Sequence, residues 1–100
     1  MEHDVVTRIA TPDDADELAR LNGLFNRVFE QSQTLALRME NTRQVETAIL
    51  AEMESRVIGF AAARVVPCVC YATAYAELTE LFVEEAWRRR RVGRTLVEHA

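Results

Sequence analysis

One hundred residues, 49% of them hydrophobic and 28% charged, make one small domain with enough apolar surface for a core. Three glycines and two prolines argue against a disordered or low-complexity chain. The net charge of −4 excludes a chain-wide polycation for nucleic acid, yet the sign is uneven: all twelve basic residues are arginines, and five of them lie between Arg88 and Arg94.

No apolar run approaches the ~20 residues that a membrane span needs. The first ten residues, MEHDVVTRIA, carry no apolar segment of the secretory type. Cys68 and Cys70 stand one residue apart, which suits neither a disulfide nor, without a histidine pair nearby, a zinc site. The expectation is a cytoplasmic protein with reduced cysteines, no metal and no membrane contact.

In chain order, Val5 to Ile9 alternates apolar and polar residues and predicts a strand. Thr11-Pro12-Asp13-Asp14 predicts a helix start, with a capping hydroxyl, a proline at the first helical position and acids at the positive end of the dipole. Ala15, Leu18, Ala19 and Leu21 give that helix an apolar face. Leu24, Phe25, Val28 and Phe29 extend it past Asn22-Gly23, where a break or kink is expected. Gln31 to Thr34 reads as a loop and Leu35 to Gln44 as a short second helix. Thr47 to Met53 and Arg56 to Val66 read as two strands around a Glu54-Ser55 turn that lacks an Asn-Gly signal. The small residues Gly59 and Ala61 to Ala63 point to close packing or a bulge. Pro67 to Ala74 is an irregular link, and Glu77 to Val83 a further strand. On that strand the odd spacing of Glu77 and Glu80 predicts opposite faces.

After the break at Glu84 to Ala86 come Trp87 and the arginine run, and from Val92 onward Leu96, Val97 and Ala100 recur at helical spacing. This strand-to-helix junction is where chemistry is expected. The first turn of a helix presents backbone N–H groups without internal partners, and the dipole adds partial positive charge. Gly93 leaves the main chain open to close approach, and the arginines add forked donors. A phosphate or diphosphate is the natural occupant.

These residues resemble the GNAT superfamily of acyl-CoA-dependent N-acyltransferases. Its signature is a strand ending L-x-V followed by [R/Q]-x-x-G-x-[G/A] at the opening of a helix. Leu81-Phe82-Val83 matches the strand end, Arg88 the [R/Q] position and Gly93 the last Gly/Ala position. Arg91 stands where the family has its first glycine. The opening order of strand, T-P-x-D and amphipathic helix is also similar to the family, as is the following strand pair.

The resemblance implies an α/β (α+β) fold: one GNAT-like domain over residues 1–100, a mainly antiparallel four-stranded sheet flanked by helices, partial and lacking the family's C-terminal strands. It implies acetyl transfer from acetyl-CoA, as co-substrate, to a primary amine on a small molecule or peptide. Glu77, eleven residues before Arg88, falls where some members keep a general base; its bland alternative is a surface glutamate paired with an arginine. Leu81, Phe82 and Val83 would lie along the pantetheine arm, with one backbone N–H polarising the thioester carbonyl. Arg88, Arg89, Arg90, Arg91, Val92, Gly93 and Arg94 would hold the diphosphate. Glu80 is the fallback base and otherwise reads as structural, His3 and His99 read as inert, and Tyr71 and Tyr75 read as loop or core residues, with lining of an acceptor pocket as their alternative. An open edge at the Glu77 strand predicts pairing of two chains, through that edge or through apolar surface left exposed beside it. The competing readings are a non-catalytic acyl-CoA-binding or oligomerisation module and a small nucleic-acid binder. The last is disfavoured because only Trp87 accompanies the charge run.

Overall fold

The computed structural model describes residues 5–66, 69–70, 72, 75–88 and 91–99. Readings that fall on His3, Cys68, Tyr71, Arg89 and Arg90, and on the side chain of Tyr75, lie outside them. The chain runs β1 (Val6–Ile9), a 3-10 turn (Pro12–Asp14), α1 (Ala15–Asn26), α2 (Ser32–Thr42), β2 (Glu46–Met53), β3 (Arg56–Val66), β4 (Tyr75–Val83), a second 3-10 turn (Glu85–Trp87) and α3 (Val92–His99). The four strands form one antiparallel sheet in the order β1-β2-β3-β4, so β4 is an edge strand. No helix among the described residues is long and apolar enough to cross a membrane.

Each face of the sheet buries its own cluster. On one, Ile49, Ala51, Ile58 and Ala61 pack against Val92 and Leu96 of α3. On the other, Leu50, Phe60 and Phe82 pack against Leu18 and Leu21 of α1. An eight-residue helix is unstable alone in water, so α3 is held by Val92 and Leu96, both essentially inaccessible to solvent. Such side chains contribute about 1.5–3 kcal/mol each on burial. Thr7 Oγ1 and His99 Nδ1, 2.6 Å apart, join β1 to the end of α3, so the terminal histidine is a structural partner.

Helix α1 does not break at Asn22-Gly23. It continues to Asn26 and ends on Arg27, in the left-handed region at φ 59°, whose N–H donates to the Gly23 carbonyl at 3.2 Å. Gly23 is instead a packing position, because a Cβ there would stand 3.0 Å from the Phe29 ring. Helix α2 starts at Ser32, three residues before the apolar pattern does, because the Gln31 carbonyl accepts from Thr34 and Leu35 and the Ser32 hydroxyl bonds Asp16 of α1.

The 3-10 turn before α1 is fixed by Asp14. Its carboxylate takes both Arg8 Nη groups, at 2.8 and 2.7 Å, and the Thr11 N–H at 2.9 Å, while Arg8 Nε reaches Glu52 on β2. The Arg8 guanidinium, opposed by partial burial, holds the Asp14 carboxyl below its ordinary range. A depressed carboxylate contributes stability that is present above the unfolded pKa of ~4 and is lost as pH falls through the folded value. Urea melts between pH 6 and pH 3 are therefore expected to show falling stability, with a shallower slope in Asp14→Asn; an unchanged slope would refute the assignment.

The hairpin between β2 and β3 turns through Glu54 and Ser55 alone, at φ 53° and 67°. Two positive φ values are what a type I′ turn requires, and neither residue is the Asn or Gly that adopts them without strain. Ser55→Gly is expected to stabilise the fold by about 1 kcal/mol. The check is a rise in Tm of roughly 4–8 °C.

Candidate functional site

Strand β4 carries the site because its backbone is spent on one side only. The Glu84 N–H donates to the Ile58 carbonyl at 2.9 Å, and Phe82 lies opposite Phe60. Backbone direction alternates along a strand, so Phe82 faces β3 while the N–H and C=O groups of Leu81 and Val83 face the open edge. Of the three residues expected along a pantetheine arm, two present main chain there. Phe82 contributes its ring to a cluster with Phe25 and Phe60, at centroid distances of 5.1 and 6.3 Å.

The end of β4 is anchored from a distance. Glu84, largely buried, receives Arg20 of α1 and lies 3.6 Å from Arg56, and Arg20 also donates to the Val57 carbonyl at 2.9 Å. Burial lowers the Arg20 pKa, but Glu84 and Glu17 outweigh it and the net shift is upward. The guanidinium therefore stays charged and binds α1 to the sheet just before the arginine run.

Beyond Trp87 the chain enters α3 through Arg91, at φ 63°. The Arg91 carbonyl accepts both the backbone N–H and the hydroxyl of Thr95, at 3.0 and 2.9 Å. This conformation explains why a glycine is usual at that place in the resemblance: the backbone is left-handed there, and here an arginine carries the strain. Val92, Gly93 and Arg94 follow as the first helical residues, whose N–H groups have no carbonyl four residues back within the helix. Gly93 is half-buried, neither mid-helix nor sealed. A Cβ there would stand 4.0 Å from Leu81 and Val83 side chains, so the sheet side does not demand glycine. Arg94 Nε turns along the helix to Glu98 at 3.0 Å, and Arg88 Nε turns back to the Val83 carbonyl at 2.8 Å.

The two acids of β4 are not on opposite faces. Register passes from Ala62↔Glu80 to Ala63↔Leu78 and Arg64↔Glu77, leaving Thr79 as the extra residue of a β-bulge. Ala62 and Arg64 share a face of β3, so Glu80 and Glu77 share the corresponding face of β4, the one under α1 and α2. Thr79 donates to the Ala62 carbonyl at 3.1 Å and to Glu46 at 3.3 Å. Glu80 and Glu46 line a cleft of about 240 Å³, floored by Ala48, Phe60 and Ala62 and walled by Leu18, Leu35 and Met39. Glu77 lies further out on the same face, exposed, opposite exposed Arg64. Glu46 carries no signal in the sequence that could have marked it, because its place beside Glu80 depends on strand register. Among the described residues no cluster of three or more His, Cys, Asp or Glu could hold a metal.

An open strand edge running into a basic helix entrance, with a separate acid-lined cleft on the neighbouring face, is the framework of an acyltransferase. Residues 15–100 match the family model described as "Acetyltransferase (GNAT) family", and the chain belongs to that family. No curated protein matches it. Among solved structures it is similar to a ribosomal-protein-alanine N-acetyltransferase from Brucella melitensis biovar Abortus 2308, with TM-score 0.84 and 15% identity over 97% of this chain and 69% of that one. It is also similar to an acetyltransferase of Trypanosoma brucei, with TM-score 0.82 and 18% identity over 96% and 71%. A third likeness is to the aminoglycoside N-acetyltransferase AAC(6')-Iy in complex with CoA, with TM-score 0.80 and 18% identity over 99% and 68%. At these identities the likeness is one of fold.

Proposed function

We propose that the chain transfers an acetyl group from acetyl-CoA to a primary amine. The observation that carries this is the β4 edge, where the backbone groups of Leu81 and Val83 turn away from β3 and lead directly to the entrance of α3. An amide-bearing thioester arm extends along that edge by strand-like pairing. Its diphosphate lies against the N–H groups of Val92, Gly93 and Arg94, with Arg88 to Arg91 around it. The Leu81 N–H polarises the thioester carbonyl.

The amine approaches from the cleft between the helices and the sheet. Glu80, which lines it, holds the ammonium form at the entrance. Glu77, brought to the same face by the bulge, takes the amine's proton through water and leaves the nitrogen neutral. The nitrogen then bonds to the acetyl carbon, the C–S bond breaks, and the leaving thiolate takes up the second proton that the nitrogen sheds, departing as CoA. An aminoglycoside enzyme among the similar structures is in keeping with a small polyamine as one acceptor class. We place this reaction in the cytoplasm, in one domain spanning residues 1–100. We also propose that two chains pair through exposed apolar surface, leaving the β4 edge to the arm, without nucleic acid or membrane.

Calorimetry with CoA, followed by a thiol-release assay with acetyl-CoA over a panel of small amines and peptides, tests the reading. Binding with amine-dependent release is expected. Binding without release for any amine would leave an acyl-CoA-binding module, and no binding would overturn both. Light scattering across a concentration series checks the pairing, which a monomer at high concentration refutes.

A further inference from the structure

The proposed arm site is already occupied from within. The Val83 carbonyl faces the open edge, and an edge carbonyl is the group with which an incoming amide N–H would pair. In this structure that carbonyl accepts Arg88 Nε at 2.8 Å, while Arg88 Cζ stands 5.6 Å from the centroid of the Phe82 ring. The guanidinium thus holds both a hydrogen bond and a cation–π contact on β4. Arg88 is also the first cation of the run beside the α3 entrance. One side chain cannot donate to Val83 and reach a diphosphate at the same time with the same Nε–H.

We propose that Arg88 is a displaceable latch on the thioester-arm site, an inference that rests on the acyl-CoA reading above. Bound to Val83, it closes the last open carbonyl of β4 and keeps that edge from pairing with other strands. An arm amide that takes the Val83 carbonyl releases the guanidinium, which then turns to the diphosphate. Arm and diphosphate therefore bind with positive coupling: each half of the ligand stabilises the Arg88 position that the other half needs. Free diphosphates without an arm bind against the latch and are discriminated against.

The test uses the two halves separately. Pantetheine, which lacks the diphosphate, and adenosine 3′-phosphate 5′-diphosphate, which lacks the arm, are titrated into the wild type and Arg88→Met, with full CoA as reference. Methionine keeps a stem over Phe82 and removes every donor. In the variant, affinity for pantetheine is expected to rise about five- to tenfold, the net scale of one ordinary hydrogen bond at an exposed site, and affinity for the nucleotide half to fall. Pantetheine affinity that is unchanged or weaker overturns the latch. A fall confined to the nucleotide half would make Arg88 a plain diphosphate ligand. Failure of the wild type to bind CoA at millimolar concentration would overturn the acyl-CoA reading itself, and the latch with it. Should Arg88→Met not fold, the Nε–H proton of wild-type Arg88 serves in its place. The latch requires it to lose its protection from exchange when pantetheine is added, and retained protection overturns the proposal.

Discussion

Gly59→Ala is expected to destabilise the fold by about 3 kcal/mol, near the upper end for overpacking in a tight interior. A Cβ at Gly59 would stand 2.7 Å from the Phe82 carbonyl oxygen and 3.3 Å from the Val83 Cα. Both are backbone atoms of the neighbouring strand, so no side-chain rotation relieves the contact, and β3 and β4 must part. For a domain of this size the loss corresponds to roughly 12–24 °C in Tm, a large share of the ~5–15 kcal/mol that holds a typical domain together. Because the strain falls on Phe82 and Val83, protein that still folds is expected to lose CoA affinity as well. Gly93→Ala is the control. There a Cβ has 4.0 Å of room on the sheet side, and alanine suits a helix better than glycine by up to about 1 kcal/mol. Its Tm should hold or rise. A Gly59→Ala protein with wild-type Tm would mean that the two strands do not approach as described.

Glu77→Gln is expected to lower kcat by about 10²-fold with little change in the KM for the amine, the scale of a positioned general base. Glu80→Gln is expected to do the reverse, raising the amine KM about tenfold, through loss of one charge-assisted contact, with kcat largely retained. The split follows from position: Glu80 lines the cleft, whereas Glu77 lies outside it on the same face. Neither side chain supports the core, so both variants should melt close to the wild type. Unchanged kcat in Glu77→Gln across the pH range would remove it from the mechanism.

Most of the fold was legible because its cause is local. β3 spans Arg56–Val66, the run read from its apolar pattern, and α3 begins at Val92, where helical spacing resumes. The antiparallel sheet with helices on both faces likewise follows from a short turn and the two apolar periodicities. What could not be read depends on partners distant in the chain. Gly23 looks like a helix breaker until the Phe29 ring is seen beside it. The Arg20 to Glu84 contact joins residues 64 apart, and no spacing rule connects them. The same holds for the site. The junction from Leu81 to Gly93 was legible as a motif, because its chemistry lies in consecutive residues. The facing of Glu77 and Glu80 was misread because simple alternation assumes an unbulged strand, and Thr79 gives no warning of its extra count. The cleft residue Glu46 was missed altogether, since only register sets it beside Glu80.

The Thr79 bulge makes the pairing of this part of β4 matter as much as the identity of its residues. Paired without the bulge, the same residues would simply alternate, and the odd spacing of Glu77 and Glu80 would turn Glu77 toward α3, leaving β4 with one carboxylate on the cleft face in place of two. Every amino-acid type at the site and every apolar residue of the core would still be present in the sequence. Deleting Thr79, by contrast, would remove the extra residue and keep both acids on the cleft face, so the place of the bulge decides what this strand presents there.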